Sequence, residues 1–356
     1  MERLTEMAYQ SVQALRLQEV DWDLLSSYAG LLGLATCSIY AGANGSLPRK
    51  SGTEKKKDDD GEEDDEDEDN EERMSSEDAW IFPIIGSIAL VGLYVLVKYL
   101  GTEWLNWMLG WYFGVAGVGS VWNSWISLTR YLVGETRWKK FDQVRMSVKK
   151  GSHVLIGIST RTPSIILLPL AAVPSGLYLF WGDGRRSVLL TDLLGVSFAY
   201  NALTLLRIDS FKTGCILLSG LFVYDVWWVF GTDVMVRVAT TLDVPIKLLW
   251  PKSVVLAGDR GYTMLGLGDV VIPGTFVALG LRYDHARQTA GRPYFRATLA
   301  GYIWGLAVTM WVMHRYGAAQ PALLYLSPAC MVSFAATGHW RGELMEAWQW
   351  IDNSNK

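Results

Sequence analysis

Apolar residues in this 356-residue chain fall in blocks of 17 to 25, separated by short polar connections. About 20 apolar residues let a helix cross a hydrocarbon core of roughly 30 Å. Nine such blocks lie at approximately 24–43, 80–100, 104–128, 163–181, 188–206, 213–230, 264–281, 295–313 and 321–337. Length alone would suit two or three soluble domains, but nine blocks of this size exceed what soluble cores hide. The expectation is an all-α polytopic membrane protein with about nine transmembrane helices.

Charge is distributed very unevenly. Residues 54–78 carry sixteen acids and four bases, a net charge of −12, within a chain of net charge −4. The remainder is therefore basic, at +8. The stretch EKKKDDDGEEDDEDEDNEER has too few apolar side chains to offset the entropy of ordering it, so a solvated, disordered loop over about 47–78 is expected. Partner binding by that loop is the secondary reading.

The first block resembles a signal peptide only superficially. Residues 1–23 contain five acids and two bases, whereas a signal peptide opens with a short basic segment. It is read as an uncleaved first helix. Orientation follows Lys and Arg in the short loops. Fifteen basic residues collect on one side (129–162, 207–212, 282–294 and the C-terminal tail) and nine on the other. The bias favours an outside N-terminus and a cytosolic C-terminus. Asn44-Gly45-Ser46 then abuts the first span on the cytosolic side and is expected unmodified.

Cys37, Cys215 and Cys330 all lie in apolar blocks and are read as core thiols, without a disulfide framework. The four histidines are scattered, so neither metal nor cofactor is implied, and nothing calls for a nucleic acid partner.

Two carboxylates stand out, because a charge within a span costs roughly 2.5–3.5 kcal/mol on insertion scales. Asp225 lies in CILLSGLFVYDVWWVF and Asp269 in MLGLGDVVIPGTFVALG. Asp225 precedes Gly231 by six residues and Asp269 follows Tyr262 by seven. At about 1.5 Å per residue both sit some 9–10 Å inside the same membrane face. Successive helices run antiparallel, so the two can meet. Two acids in one low-dielectric site cannot both ionise easily and share a single proton. That state suits one carboxyl activating water while the other protonates a carbonyl oxygen.

Neighbouring residues fit this chemistry. Gly266 and Gly268 remove side chains where another backbone must approach. Tyr224 is placed to cover Asp225 or donate to it. VMVRVATT (Val234 to Thr241) is β-branched and roughly alternating, a strand for an unwound substrate to pair with.

FVYDVWWVFGT at 222–232, MLGLGDVVIPG at 264–274 and QPALLYLSPAC at 320–330 carry YD, GxGD and PAL motifs, in that order and on three spans. Together they resemble the GxGD intramembrane aspartyl proteases, on the signal peptide peptidase side of that family rather than the presenilin side. The resemblance runs from about Val188 to Glu346. It implies that Asp225 and Asp269 are the catalytic pair and that Pro321, Ala322 and Leu323 shape the site. It further implies an endoplasmic reticulum membrane enzyme with a lumenal N-terminus, cutting type II-oriented segments such as remnant signal peptides, with the bilayer and a homo-oligomer as further partners. The implied division is 1–187 as the first four helices with the acidic loop, 188–346 as the catalytic part and 347–356 as a cytosolic tail. The chain ends DNSNK, unlike the dilysine-type signal of many members.

The competing reading is a non-proteolytic protein of the same fold, a proton-coupled transporter or a quality-control scaffold. Transporters often carry symmetric repeats, and none is obvious in this sequence. Lesser expectations concern single residues. Asp192 caps its helix or points at the interface, Asp233 and Asp243 face water, and Asn123 and Asn201 bond across helices. The tryptophans of the third span anchor and pack. RWKKFDQVRMSVKK at 137–150 is a plain positive-inside loop, with contact to anionic lipid as the alternative.

Overall fold

The computed structural model describes residues 22–48, 73–138, 140–150, 153–180, 188–232, 234–242, 244–252, 261–317 and 320–352. Nine long helices dominate it: α1 (Trp22–Gly45), α2 (Ser76–Leu100), α3 (Thr102–Val133), α4 (Thr162–Phe180), α5 (Val188–Leu205), α6 (Phe211–Phe230), α7 (Leu267–Ala286), α8 (Pro293–Tyr316) and α9 (Leu323–Arg341). Each matches one apolar block of the sequence. By length and composition alone, α1, α2, α4, α5 and α6 are apolar enough to cross a membrane. The outer face of α2 exposes Ile81, Ile84, Ile85, Ile88, Val91 and Val95. So large an exposed apolar surface marks a membrane or partner contact, and here it faces lipid.

Local chemistry sets the helix ends. A reciprocal capping box between Ser75 and Asp78 starts α2. A single residue, Gly101 at φ 84°, separates α2 from α3, and only glycine adopts that backbone without strain. Ser210 caps α6 by accepting from the Thr213 N–H.

The most enclosed helix is α7, buried continuously from Pro273 to Asp284. A helix apolar all round belongs inside a bundle, and α7 packs against α1, α5, α6, α8 and α9. Below it lies an aromatic knot. Phe211 of α6 stacks on Phe334 of α9 at 4.1 Å, and Phe276 and Tyr283 of α7 meet Phe211 edge-on at 5.8 and 5.6 Å.

Three small sheets join the helices. β1 (Arg73–Met74) runs parallel to β4 (Arg207–Ile208). β2 (Gln143–Lys150), at the end of the basic 137–150 stretch, forms an antiparallel hairpin with β3 (His153–Arg161). β5 (Lys247–Pro251) pairs antiparallel with β6 (Tyr262–Gly266), setting Lys247 opposite Gly266.

Two expectations are corrected here. Val234–Thr241 is a helix, not a strand. Its Val234, Val238 and Leu242, four residues apart, pack with Leu105, Tyr94 and Val97, so a helical face outweighs β-branched propensity. Cys37 is exposed rather than a core thiol, while Cys330 is buried and Cys215 intermediate. The acidic residues 49–72 lie outside the described residues, as do Asp233 and Asp243.

Asn123 and Asn201 do bond across helices. Asn201 Nδ2 donates to the Ser120 carbonyl at 2.9 Å, and its Oδ1 accepts from Asn123 Nδ2, joining α3 to α5. Asn201→Leu is expected to cost about 1–2 kcal/mol, the range for polar contacts between membrane helices. Thermal unfolding in detergent measures it, and catalysis by the folded protein should be unchanged.

Candidate active site

Asp225 lies on the fourth turn of α6 with 3% of its surface exposed. Its Oδ2 accepts a hydrogen bond from the backbone N–H of Leu323 at 2.9 Å. Leu323 is the first residue of α9, so its N–H is one of the four that a helix leaves without an internal partner. A carboxylate there is favoured by the hydrogen bond and by the helix dipole together. Pro321, Ala322 and Leu323 are all buried. The PAL segment therefore aims the start of α9 at Asp225, and it does so through the backbone.

Asp269 occupies the first turn of α7. The helix begins at Leu267, because residues 262–266 form β6. Asp269 thus lies three residues into a helix entered from a strand, which replaces the seven helical residues counted from the sequence. Two bonds fix this entry. The Leu267 N–H donates to the Ile246 carbonyl at 2.9 Å, and the Leu249 N–H donates to Asp192 Oδ1 at 2.7 Å. Asp192 therefore neither caps α5 nor points at the interface. It secures β5, the strand that carries β6.

Phe211 of α6 meets Tyr283 of α7 at 5.6 Å, and Asp225 and Asp269 each lie fourteen residues from that contact, so antiparallel α6 and α7 carry both carboxyls to one level of the bundle. Gly266 is the N-cap residue of α7, and a Cβ there would lie 3.4 Å from Asp269 Oδ2. A Cβ at 266 would touch the carboxylate in ordinary van der Waals contact.

Two other expectations fare differently. A Cβ at Gly268 would meet nothing within 4 Å among the described residues, which leave open space beside it. The Tyr224 ring turns towards α2, where a Cβ at Gly86 would lie 3.6 Å from it, and towards Trp228 at 6.3 Å. Adjacent residues on a helix point about 100° apart, which takes Tyr224 off the face of Asp225. No hydrogen bond joins the two among the described residues.

The structure adds groups that sequence reasoning missed. Tyr302 of α8 is fully buried, and its hydroxyl has no partner among the described residues. Ser327, one turn beyond Leu323, is likewise buried with an unpartnered hydroxyl. Nothing distinguishes either from ordinary core residues in a linear sequence.

Replacing the Ala322–Leu323 amide by an ester, with leucic acid at 323, removes the N–H and leaves every side chain. Hydrogen bonds to charged groups are worth about 1.5–3 kcal/mol, so turnover should fall roughly 10- to 100-fold at unchanged fold. Steady-state peptide cleavage reads the effect.

Paired carboxyl groups inside a bundle of long apolar helices, one bound by a helix N-terminus, define a class of protein: a polytopic membrane protein equipped for aspartic-protease chemistry. Similarity to known proteins narrows this further. A family model described as signal peptide peptidase matches residues 66–354. The chain is 37% identical to human signal peptide peptidase over 287 residues, covering 80% of this chain and 75% of that protein. It is 33% identical over 273 residues to a probable intramembrane protease of Schizosaccharomyces pombe, covering 75% and 80%. Intramembrane protease 2 of Caenorhabditis elegans is 44% identical over 184 residues, covering 48% and 39%. The chain belongs to the signal peptide peptidase family, and it is a multi-pass intramembrane aspartic protease.

Proposed function

We propose that Asp225 and Asp269 are the catalytic pair, and that the enzyme cuts type II-oriented transmembrane segments such as remnant signal peptides in the endoplasmic reticulum membrane. The single observation that carries this reading is that both carboxyls stand at one level of α6 and α7, each fourteen residues from the Phe211–Tyr283 contact, with Asp225 bound by the first amide of α9.

The chemistry follows from one proton shared by two carboxyls. The ionised carboxylate takes a proton from a water molecule as its oxygen attacks the scissile carbonyl carbon. The protonated carboxyl gives its proton to the carbonyl oxygen, producing a neutral gem-diol. The first carboxyl, now protonated, gives its proton to the amide nitrogen while the second, now ionised, takes one from a gem-diol hydroxyl, so the C–N bond breaks to an amine and a carboxylic acid and the pair again holds one proton. The steps need no covalent intermediate. The Leu323 N–H holds Asp225 in one orientation throughout, and Tyr224 serves as packing beside it.

A helical peptide bond is shielded, so the substrate must unwind. β6 bonds to β5 along one edge, and among the described residues no strand covers its other edge. β6 runs directly into Asp269, and an extended substrate added to that edge would lie beside the carboxyls. This edge takes the role that the sequence suggested for 234–241. The open space at Gly268 supports close passage of a substrate backbone.

The excess of Lys and Arg on one side supports a lumenal N-terminus and cytosolic C-terminus. We assign residues 188–346 to the catalytic part and 1–187 to the helices around it. Purified enzyme in liposomes, offered one signal peptide fixed in either orientation, tests substrate class. Type II presentation should be cleaved at least about tenfold faster, a difference of about 1.4 kcal/mol in barrier. Equal rates would refute the orientation preference.

A further inference from the structure

Arg282 lies on α7, thirteen residues after Asp269, with 3% of its surface exposed. Its Nη2 donates to the Ile208 carbonyl at 3.1 Å, just ahead of α6, and its Nε stands 3.2 Å from Asp352 Oδ2. Asp352 in turn donates its N–H to the Asp209 carbonyl at 2.8 Å, and Ile351 forms a β-bridge with Ser210, the cap of α6. Trp350 packs edge-on against Tyr283 of α7 at 5.2 Å and reaches Phe211 of α6 at 6.4 Å. Arg287 at the end of α7 pairs with Glu346, and Ala347 is fully buried. The segment Leu344–Asp352 is therefore folded across the ends of the two helices that carry the carboxyls.

Asp225 lies fourteen residues beyond the start of α6, and Asp269 thirteen before Arg282. At about 1.5 Å per residue each carboxyl stands about 20 Å from this junction. Along their length α6 and α7 touch each other less than each touches α9. Direct contact between them is thus limited, and the junction at their ends is one of the places that couples them. A buried ion pair is a poor source of stability, since apolar side chains of similar volume often do as well. Its value lies in fixing one geometry.

We propose that Leu344–Asp352 is a positioning element of the active site, in which the Arg282–Asp352 ion pair clamps the ends of α6 and α7 and sets how Asp225 faces Asp269. The proposal rests on the reading of those two residues as the catalytic pair. Residue Arg73, where the acidic stretch meets β1, joins the same clamp: its Nη1 is 4.0 Å from Asp352 Oδ1, and β1 pairs with β4.

The test uses the full-length enzyme in detergent with Asp352→Asn, Asp352→Glu and Arg282→Lys. A displacement of about 1 Å at reacting groups can cost up to roughly 100-fold. Asp352→Asn and Arg282→Lys should each lower kcat about tenfold or more per folded molecule, with KM within about twofold and recovery in Asp352→Glu. In parallel, spin labels on Trp227 of α6 and Met264 of β6 report the separation of the two catalytic elements. Their distance distribution should broaden in Asp352→Asn and return in Asp352→Glu. A lowered melting temperature with kcat and spin-label distances unchanged overturns the proposal, leaving a strap that only stabilises. Asp225→Asn runs alongside: if it cleaves, the catalytic assignment fails, while the spin-label distances still decide the clamp.

Discussion

Asp225→Asn and Asp269→Asn are each expected to lower turnover by at least about 10³- to 10⁴-fold, the upper range for loss of a general acid or base, without destabilising the fold. The reason for the first effect is that the pair works as a unit. With one member an amide, no proton is shared, and the remaining carboxyl cannot activate water and protonate the carbonyl at once. The second effect follows from burial. Two acids taken from water pay a desolvation cost that an amide avoids. In Asp225→Asn the new amide oxygen could still accept from the Leu323 N–H, which at present bonds Asp225 Oδ2 at 2.9 Å. Peptide cleavage and thermal unfolding of the same preparations check both parts. A variant that loses activity only because it unfolds contradicts this account of the site.

Gly301→Val produces the second large effect, from a position that contributes no chemistry. A Cβ at Gly301 would lie 2.5 Å from Ser333 Oγ and 2.8 Å from the Ala329 carbonyl oxygen. The first neighbour can rotate away, but the second is backbone of α9, so the helices must separate. One turn further, a Cβ at Gly305 would lie 3.1 Å from both Leu326 Cα and the Tyr325 carbonyl oxygen. These two glycines let α8 and α9 pack backbone to backbone, as small residues do in membranes. Pushing α9 outward withdraws the Leu323 N–H from Asp225. Over-packing costs about 1–3 kcal/mol of stability, and an ångström of misplacement costs up to roughly 100-fold in rate. Gly301→Ala should show a milder form of both losses. Melting temperature and kcat, measured together, test whether the rate falls further than the folded fraction.

The helical framework was legible because hydrocarbon imposes a length and a composition on whatever crosses it, and every long helix coincides with an apolar block. The carboxyl pair was legible for the same reason, since an acid in such a block is costly and conspicuous. What escaped depends on groups that leave no mark in a sequence. The partner of Asp225 is a backbone N–H, which every residue but proline possesses. The segment at Val234–Thr241 has both β-branched side chains and a helical stripe, and tertiary packing of Val238 and Leu242 decided for the helix. The strand that precedes Asp269 was hidden by inverted polarity. In β6 Thr263 is buried and bonded to Ser27 at 2.6 Å, while Tyr262 and Met264 are exposed. The residues from 347 onward were read as a cytosolic tail, and what holds them lies far away in the sequence: Asp352 is 9% exposed against Arg282.

The most direct test of the account places purified wild-type enzyme in mild detergent with a synthetic signal peptide in ¹⁸O-labelled water, and weighs the products. The account predicts a cut inside the apolar stretch and one heavy oxygen from solvent in the new C-terminal carboxyl group. It also predicts that both products are absent with Asp225→Asn and with Asp269→Asn. A cut that persists in either variant, or one confined to the polar flanks of the peptide, would contradict it.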